Sequence, residues 1–145
     1  MSDLPDLRDH VRDDPTPRDA VVLIRGGPDA VEKLVAQAER VRTIFVLDGE
    51  PVLGISVYAA LDDIGPASVD GILADKLVTY RVVHLVPLGE LAGAGFTVLP
   101  TFRRPHMTVV LGGLDRVEPL LAALGPSQRN PHYGEEVRRR KGRLT

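Results

Sequence analysis

Residues His106-Met107-Thr108-Val109-Val110-Leu111 alternate with a period of two. That period belongs to a β-strand, whose successive side chains point to opposite faces of a sheet. Met107, Val109 and Leu111 then share one apolar face, while His106, Thr108 and Val110 share the other. A row that faces a core therefore backs a row where an imidazole and a hydroxyl stand together. The approach to this strand, Thr101-Phe102-Arg103-Arg104-Pro105, brings two guanidinium groups to the same place. The fold must supply a second layer to bury the apolar row, and the His106 face is the place to look for chemistry.

The rest of the chain reads as short strands and helices separated by Gly and Pro. A buried strand over 20–24 ends at Arg25-Gly26-Gly27-Pro28, and a helix follows over 29–41, with Val31, Leu34, Val35 and Ala38 at helical spacing. Strand-like residues at 43–47 lead to Asp48-Gly49 turn chemistry and a returning strand from Val52 to about Ala59, which Gly54 weakens or bulges. Ser68 is placed to cap a helix through Val69, Ile72 and Leu73. A β-rich run covers 78–86, a short helix 88–94, a strand 96–99 and a last helix 114–124, which Gly125-Pro126 ends. This order predicts a single α+β domain. Its sheet is mixed or antiparallel, with about four to six strands and two or three packed helices.

At 145 residues the chain is long enough for one domain with a real core. Cysteine is absent, which removes disulfides, thiol nucleophiles and cysteine metal sites. No apolar run approaches the length of a membrane span, and the acidic N-terminus does not read as a secretory leader, so a cytoplasmic protein is expected. The net charge of −2 hides a polarity. Residues 1–18 form an Asp-rich arm broken by Pro5, Pro15 and Pro17, and 127–145 form a tail ending in Arg138, Arg139, Arg140, Lys141 and Arg143. Such blocks are either solvated or used to dock a protein or nucleic acid. The globular domain is expected between them, over 19–126.

Four constellations carry chemistry. The first is His106 with Thr108, flanked by Arg103 and Arg104: the histidine can move a proton while the guanidiniums stabilise developing negative charge. His106-Met107-Thr108 is similar to one of the paired His-x-Thr strands of the two-histidine phosphoesterases, in which one imidazole is base, the other acid, and the hydroxyls hold phosphate. The second His-x-Thr is missing, because Arg12, Val86 and Gly134 stand two positions after His10, His84 and His132. The second constellation is Tyr80, Arg81 and His84, with His84 facing the same way as Val82 and Val86. The third is Arg25 with Ser56 and Tyr58. Arg25 and Ser56 follow the order of NAD-binding residues in ADP-ribosyltransferases, but the late acid of that pattern is unfilled, because Glu90, the one acidic residue in the later strand region, falls on a predicted helix. The fourth is Arg129, His132 and Tyr133 before the basic run, a set able to contact RNA through stacking and phosphate pairing.

The glycine pattern of dinucleotide-binding folds, the phosphate-binding P-loop, His-Glu-x-x-His and a serine elbow are all absent. The sequence thus points to a small enzyme, with no metal or other cofactor, acting on RNA or another phosphodiester, and a toxin-like role would suit it. His106 would transfer the proton, with His84 or His132 as a second acid or base. Arg103, Arg104, Thr108, Arg129 and Tyr133 would bind substrate. A non-catalytic partner of a protein or nucleic acid is the second expectation, and an NAD-dependent transferase the third.

Overall fold

The computed structural model describes residues 3–134. Eight strands and four α-helices form an α+β domain, with the four helices in the order read from the sequence. The strands are β1 (Val21–Arg25), β2 (Val46–Leu47), β3 (Glu50–Pro51), β4 (Leu53–Ala60), β5 (Val82–Pro87), β6 (Thr97–Pro100), β7 (His106–Leu111) and β8 (Gln128–Arg129). The helices are α1 (Ala30–Arg42), α2 (Val69–Ala74), α3 (Leu88–Gly93) and α4 (Val117–Ala123). Six strands form one sheet in the order β6-β7-β4-β1-β5-β8, and every neighbouring pair is antiparallel.

The alternation of β7 decides the layers. Met107 and Val109 are fully buried and pack with Val22 and Ile24 of β1 and Ile55 and Val57 of β4. Leu34 and Ala38 of α1, Leu91 of α3, and Val117 and Leu120 of α4 complete this main core. The other face is covered only in part. Ile72 and Leu73 of α2, with Leu77, close a smaller cluster over Leu23 and Val83. The β4–β7 half of that face keeps its polar side chains.

The local signals that survive intact are those set by neighbouring residues. Ser68 caps α2 by accepting from Gly71 N–H at 3.0 Å. Asp48 and Gly49 take positive φ angles of 52° and 88°, which closes the two-residue β2–β3 hairpin.

Longer-range pairing departs from the local reading. The strand expected over 43–47 is only Val46–Leu47, because α1 runs to Arg42 and its backbone turn takes up Thr43 and Ile44. The returning strand does not pair with it; β4 lies between β7 and β1. Gly54 makes no bulge there, since the β4–β7 register runs through it without a break. A Cβ on it would come within 3.0 Å of the Thr108 methyl and 3.1 Å of Val41 Cγ1, so the position is one of close packing. The β-rich run from 78 becomes strand only at Val82, since turns after α2 use the residues before it.

The described parts of the terminal segments are docked. Leu7, in a single 3₁₀ turn over Leu7–His10, is 1% exposed. Val11 bridges to Thr101, and Arg12 N–H donates to Pro100 O at 2.7 Å. At the other end β8 pairs with β5. Asn130, 1% exposed, donates from Nδ2 to Leu73 O at 3.1 Å and to Leu77 O at 2.8 Å. The five cationic residues singled out at 138–143 lie outside the described residues.

Candidate active site

Cross-strand register builds the site. Tyr58 of β4 lies opposite His106 of β7, and Ser56 lies opposite Thr108. All four side chains therefore share the sheet face opposite the main core. Leu99 of β6 also pairs with Thr108, and the chain then leaves the strand at Thr101, which is fully buried beneath the loop.

His106 is half-buried, and both of its ring nitrogens are engaged. Nδ1 lies 3.2 Å from Thr101 O and 3.0 Å from Thr101 Oγ1. A carbonyl oxygen can only accept, so Nδ1 carries the proton and Nε2 presents its lone pair. Nε2 then accepts from the Ser56 hydroxyl at 3.1 Å. With Nδ1–H directed at Thr101, the Thr101 hydroxyl is free to donate to Thr108 Oγ1 at 2.7 Å. One directed chain results, from Ser56 through His106 and Thr101 to Thr108. Its polarity, hydroxyl to base to orienting group, is that of an activated hydroxyl.

The orienting carbonyl is itself fixed. Arg12 Nη1 donates at 2.7 Å to Thr101 O and at 2.7 Å to His106 O. Asp14 holds the same guanidinium through Nε at 2.7 Å. Burial pushes the His106 pKa below 6.5, and the nearby charges of Arg12 and Lys76 act in the same direction, while the Thr101 carbonyl opposes them. The imidazole is accordingly neutral at pH 7, the form required of a proton acceptor. Burial raises the Tyr58 phenol above its usual 10, so Tyr58 keeps its proton there.

Rings surround the imidazole. His106 meets Tyr58 edge-on at 5.7 Å between centroids and Phe102 at 5.4 Å. Phe102 continues the row to His10 at 5.0 Å and Phe45 at 5.5 Å. Phe102 is 39% exposed and has a φ of 58°, the left-handed conformation that turns the loop over the site.

On its other side Ser56 meets α1. The β1–β4 ladder ends at Leu23 and Tyr58, so Ser56 N–H has no strand partner and donates to Gln37 Oε1 at 2.6 Å. Gln37 also lines a pocket of about 240 Å³ with Arg25, Lys33, Ala36, Arg40 and Tyr80. The Arg25 guanidinium stacks over the Tyr80 ring at 4.8 Å.

The other residues singled out in the sequence are placed elsewhere. His84 pairs with Ile24, so it faces the main core and not the His106 side. Two strands separate β5 from β7, which sets the histidines about 14 Å apart across the sheet. His84 Nδ1 lies 3.1 Å from Gly125 O, a structural contact beneath the end of α4. His132 Nε2 sits 2.6 Å from Asp70 Oδ1, near the β8 edge. Arg129 and Tyr133 are exposed at that same edge, four strand spacings from β7. Neither His84 nor His132 is brought to His106 as a second acid or base.

Arg104 is held by both oxygens of Asp62, at 2.8 and 3.0 Å, and so is already paired. Arg103 is exposed, with no ion-pair partner among the described residues. Glu90 lies exposed on α3, which follows Pro87, the partner of Val21, and so stands at the opposite end of β1 from Arg25; it does not complete an NAD site there. Among the described residues no group of three or more His, Asp or Glu is arranged to hold a metal ion, and no helix is long and apolar enough to cross a membrane.

Sequence reasoning passed over Arg12, Thr101 and Gln37 and gave Ser56 another role. The usable signal was the hydroxyl at Ser56 within a β-rich run. Compared with family models, curated proteins and solved structures, the chain matches none.

Proposed function

We propose that this protein is a small enzyme of phosphodiester chemistry acting on RNA, with His106 as the residue that accepts the proton. The observation that carries the reading is the directed chain from Ser56 through His106 to Thr101, with Nε2 of a neutral imidazole facing a hydroxyl. RNA suits a site with one imidazole because it brings its own nucleophile. His106 Nε2 takes the proton of the ribose 2′-hydroxyl, the 2′-oxygen bonds to the adjacent phosphorus, and the bond to the 5′-oxygen breaks. The products are a 2′,3′-cyclic phosphate and a 5′-hydroxyl, whose proton comes from the Tyr58 phenol and is later returned by His106 through water. Exposed Phe102 offers a ring for a base to stack on. Arg103 supplies positive charge for the phosphate, as does Lys76, whose charge acts on His106 and which has only a 3.9 Å contact to Asp75, and Arg12 holds the loop.

The 3.1 Å contact between Ser56 Oγ and His106 also favours a second reading, in which Ser56 is itself the nucleophile and forms a phosphoserine intermediate. Ser56→Ala separates the two, since activity survives it in the first reading and is lost in the second. The reading as a whole is tested by inducing the protein in a bacterial host, wild type beside His106→Ala, with growth and total RNA followed together. Growth arrest with cleaved RNA that the substitution relieves is the expected result. Arrest with intact RNA would overturn the RNA reading.

A further inference from the structure

We infer that the pocket between β1 and α1 is a second phosphate subsite, which makes the substrate a strand of several nucleotides. This rests on the phosphodiester reading of His106. Arg25, Lys33 and Arg40 line the pocket, and Tyr80 and Gln37 complete its polar lining. Its cations are under-neutralised. Lys33 and Arg40 are exposed and have no ion-pair partner among the described residues, and Arg25 has only a 3.4 Å contact from Nη2 to Asp29. Arg25 Nε is buried and has no hydrogen-bond partner, although its side chain as a whole is 20% exposed. A buried donor left unmade costs free energy that an incoming oxygen anion recovers. The Arg25 guanidinium lies over the Tyr80 ring, 4.8 Å from its centroid, a contact that favours this placement.

Position gives the pocket its meaning. Arg25 follows Leu23 by two residues, and Leu23 pairs with Tyr58, so Arg25 opens on the Ser56–His106 face. Gln37 joins the two places, lining the pocket while binding Ser56 N–H at 2.6 Å. A phosphate in the pocket is thus one side chain from Ser56, and a neighbouring phosphate of the same strand reaches His106. Tyr80, packed against the smaller apolar cluster, holds the Arg25 guanidinium at the pocket.

The test measures binding of a short fluorescein-labelled single-stranded RNA by anisotropy across a salt series. It compares His106→Ala with the triple variant that also carries Lys33→Gln and Arg40→Gln. Both added positions are exposed on α1, so the fold is kept, and circular dichroism checks it. The expected result is about tenfold weaker binding and a log–log salt slope shallower by about 0.7 for each phosphate that is no longer neutralised. Equal affinity and slope in the two proteins would overturn the subsite. So would RNA-independent binding, seen as inorganic phosphate raising the Tm of wild type but not of Lys33→Gln/Arg40→Gln while RNA fails to bind. If binding depends on the pocket but wild type cleaves no RNA, the subsite stands and the catalytic reading falls. Cleavage with an unchanged KM in Lys33→Gln/Arg40→Gln would do the reverse.

Discussion

The two faces of the central sheet differ in what their side chains are asked to do, and the two β-strand histidines mark the difference. His84, on the core face, is 8% exposed and is held by a backbone carbonyl at the end of a helix. A Cβ on Gly26 would come within 2.9 Å of its ring, so the imidazole is packed like any other core side chain. His106, on the opposite face, is held between two hydroxyl-bearing residues and bordered by open rings. Burial alone does not separate structural from chemical histidines here. The direction of each ring nitrogen does.

The largest expected effect tests the core face. Ile55 is fully buried, and Ile55→Ala should lower unfolding free energy by about 3 kcal/mol through lost burial and the cavity left behind. Urea denaturation measures it, and a loss under about 1 kcal/mol would mean that this face collapses around the gap. Next comes Arg12→Ala, which frees the buried Thr101 and His106 carbonyls from their charged donor. About 2 kcal/mol should be lost, and Arg12→Lys should not restore it, because an ammonium cannot serve both carbonyls and Asp14 as the fork does. Retained stability in Arg12→Ala would show that the loop is held by its rings.

A smaller effect comes from pH. The folded-state pKa of His106 lies below 6.5, so between that value and 6.5 the unfolded chain binds more protons than the folded one. The stability due to this group is fully present above pH 6.5 and declines as pH falls toward the folded pKa. Below the folded pKa it changes no further. Unfolding curves from pH 7 to pH 5 should show that decline in wild type and lose it in His106→Gln. The carboxylates of Asp14 and Asp62, whose pKa values are lowered below 3.8 by Arg12 and Arg104, act only in more acid solution and do not confuse the window. The smallest effect belongs to the exposed Arg104–Asp62 pair. Arg104→Ala should leave Tm within experimental error, since solvent screens both charges, and a clear drop would make that pair part of the loop's support.

The sequence carried the features that neighbours enforce. The strand His106–Leu111, its division into two faces, the Ser68 cap and the Asp48-Gly49 turn are all local, and each stands where its residues placed it. Strand order is another matter, because the Asp48-Gly49 turn suggests that β4 returns beside 43–47, while its apolar face can be buried against any strand of the sheet. Only packing of the whole sheet selects β7 and β1. For the same reason His106 was visible as a candidate while its partner was not. Ser56 reaches it across a ladder fifty residues away, and Arg12 reaches its loop from an arm that composition alone describes as solvated. Asn130 is a further case: a polar residue among turn formers that is buried where it closes carbonyls of the last turn of α2 and of the turn that follows.

In the proposed function the polar face does chemistry through His106 without being needed for the fold. This is tested most directly by the rate of single-stranded RNA cleavage in EDTA for wild type and His106→Ala, with thermal unfolding of both recorded beside it. Wild type should cleave, the variant should lose about a hundredfold or more of that rate, and the two should unfold with closely similar cooperativity. Equal rates in the two proteins, or a variant that loses its fold together with its activity, would contradict it.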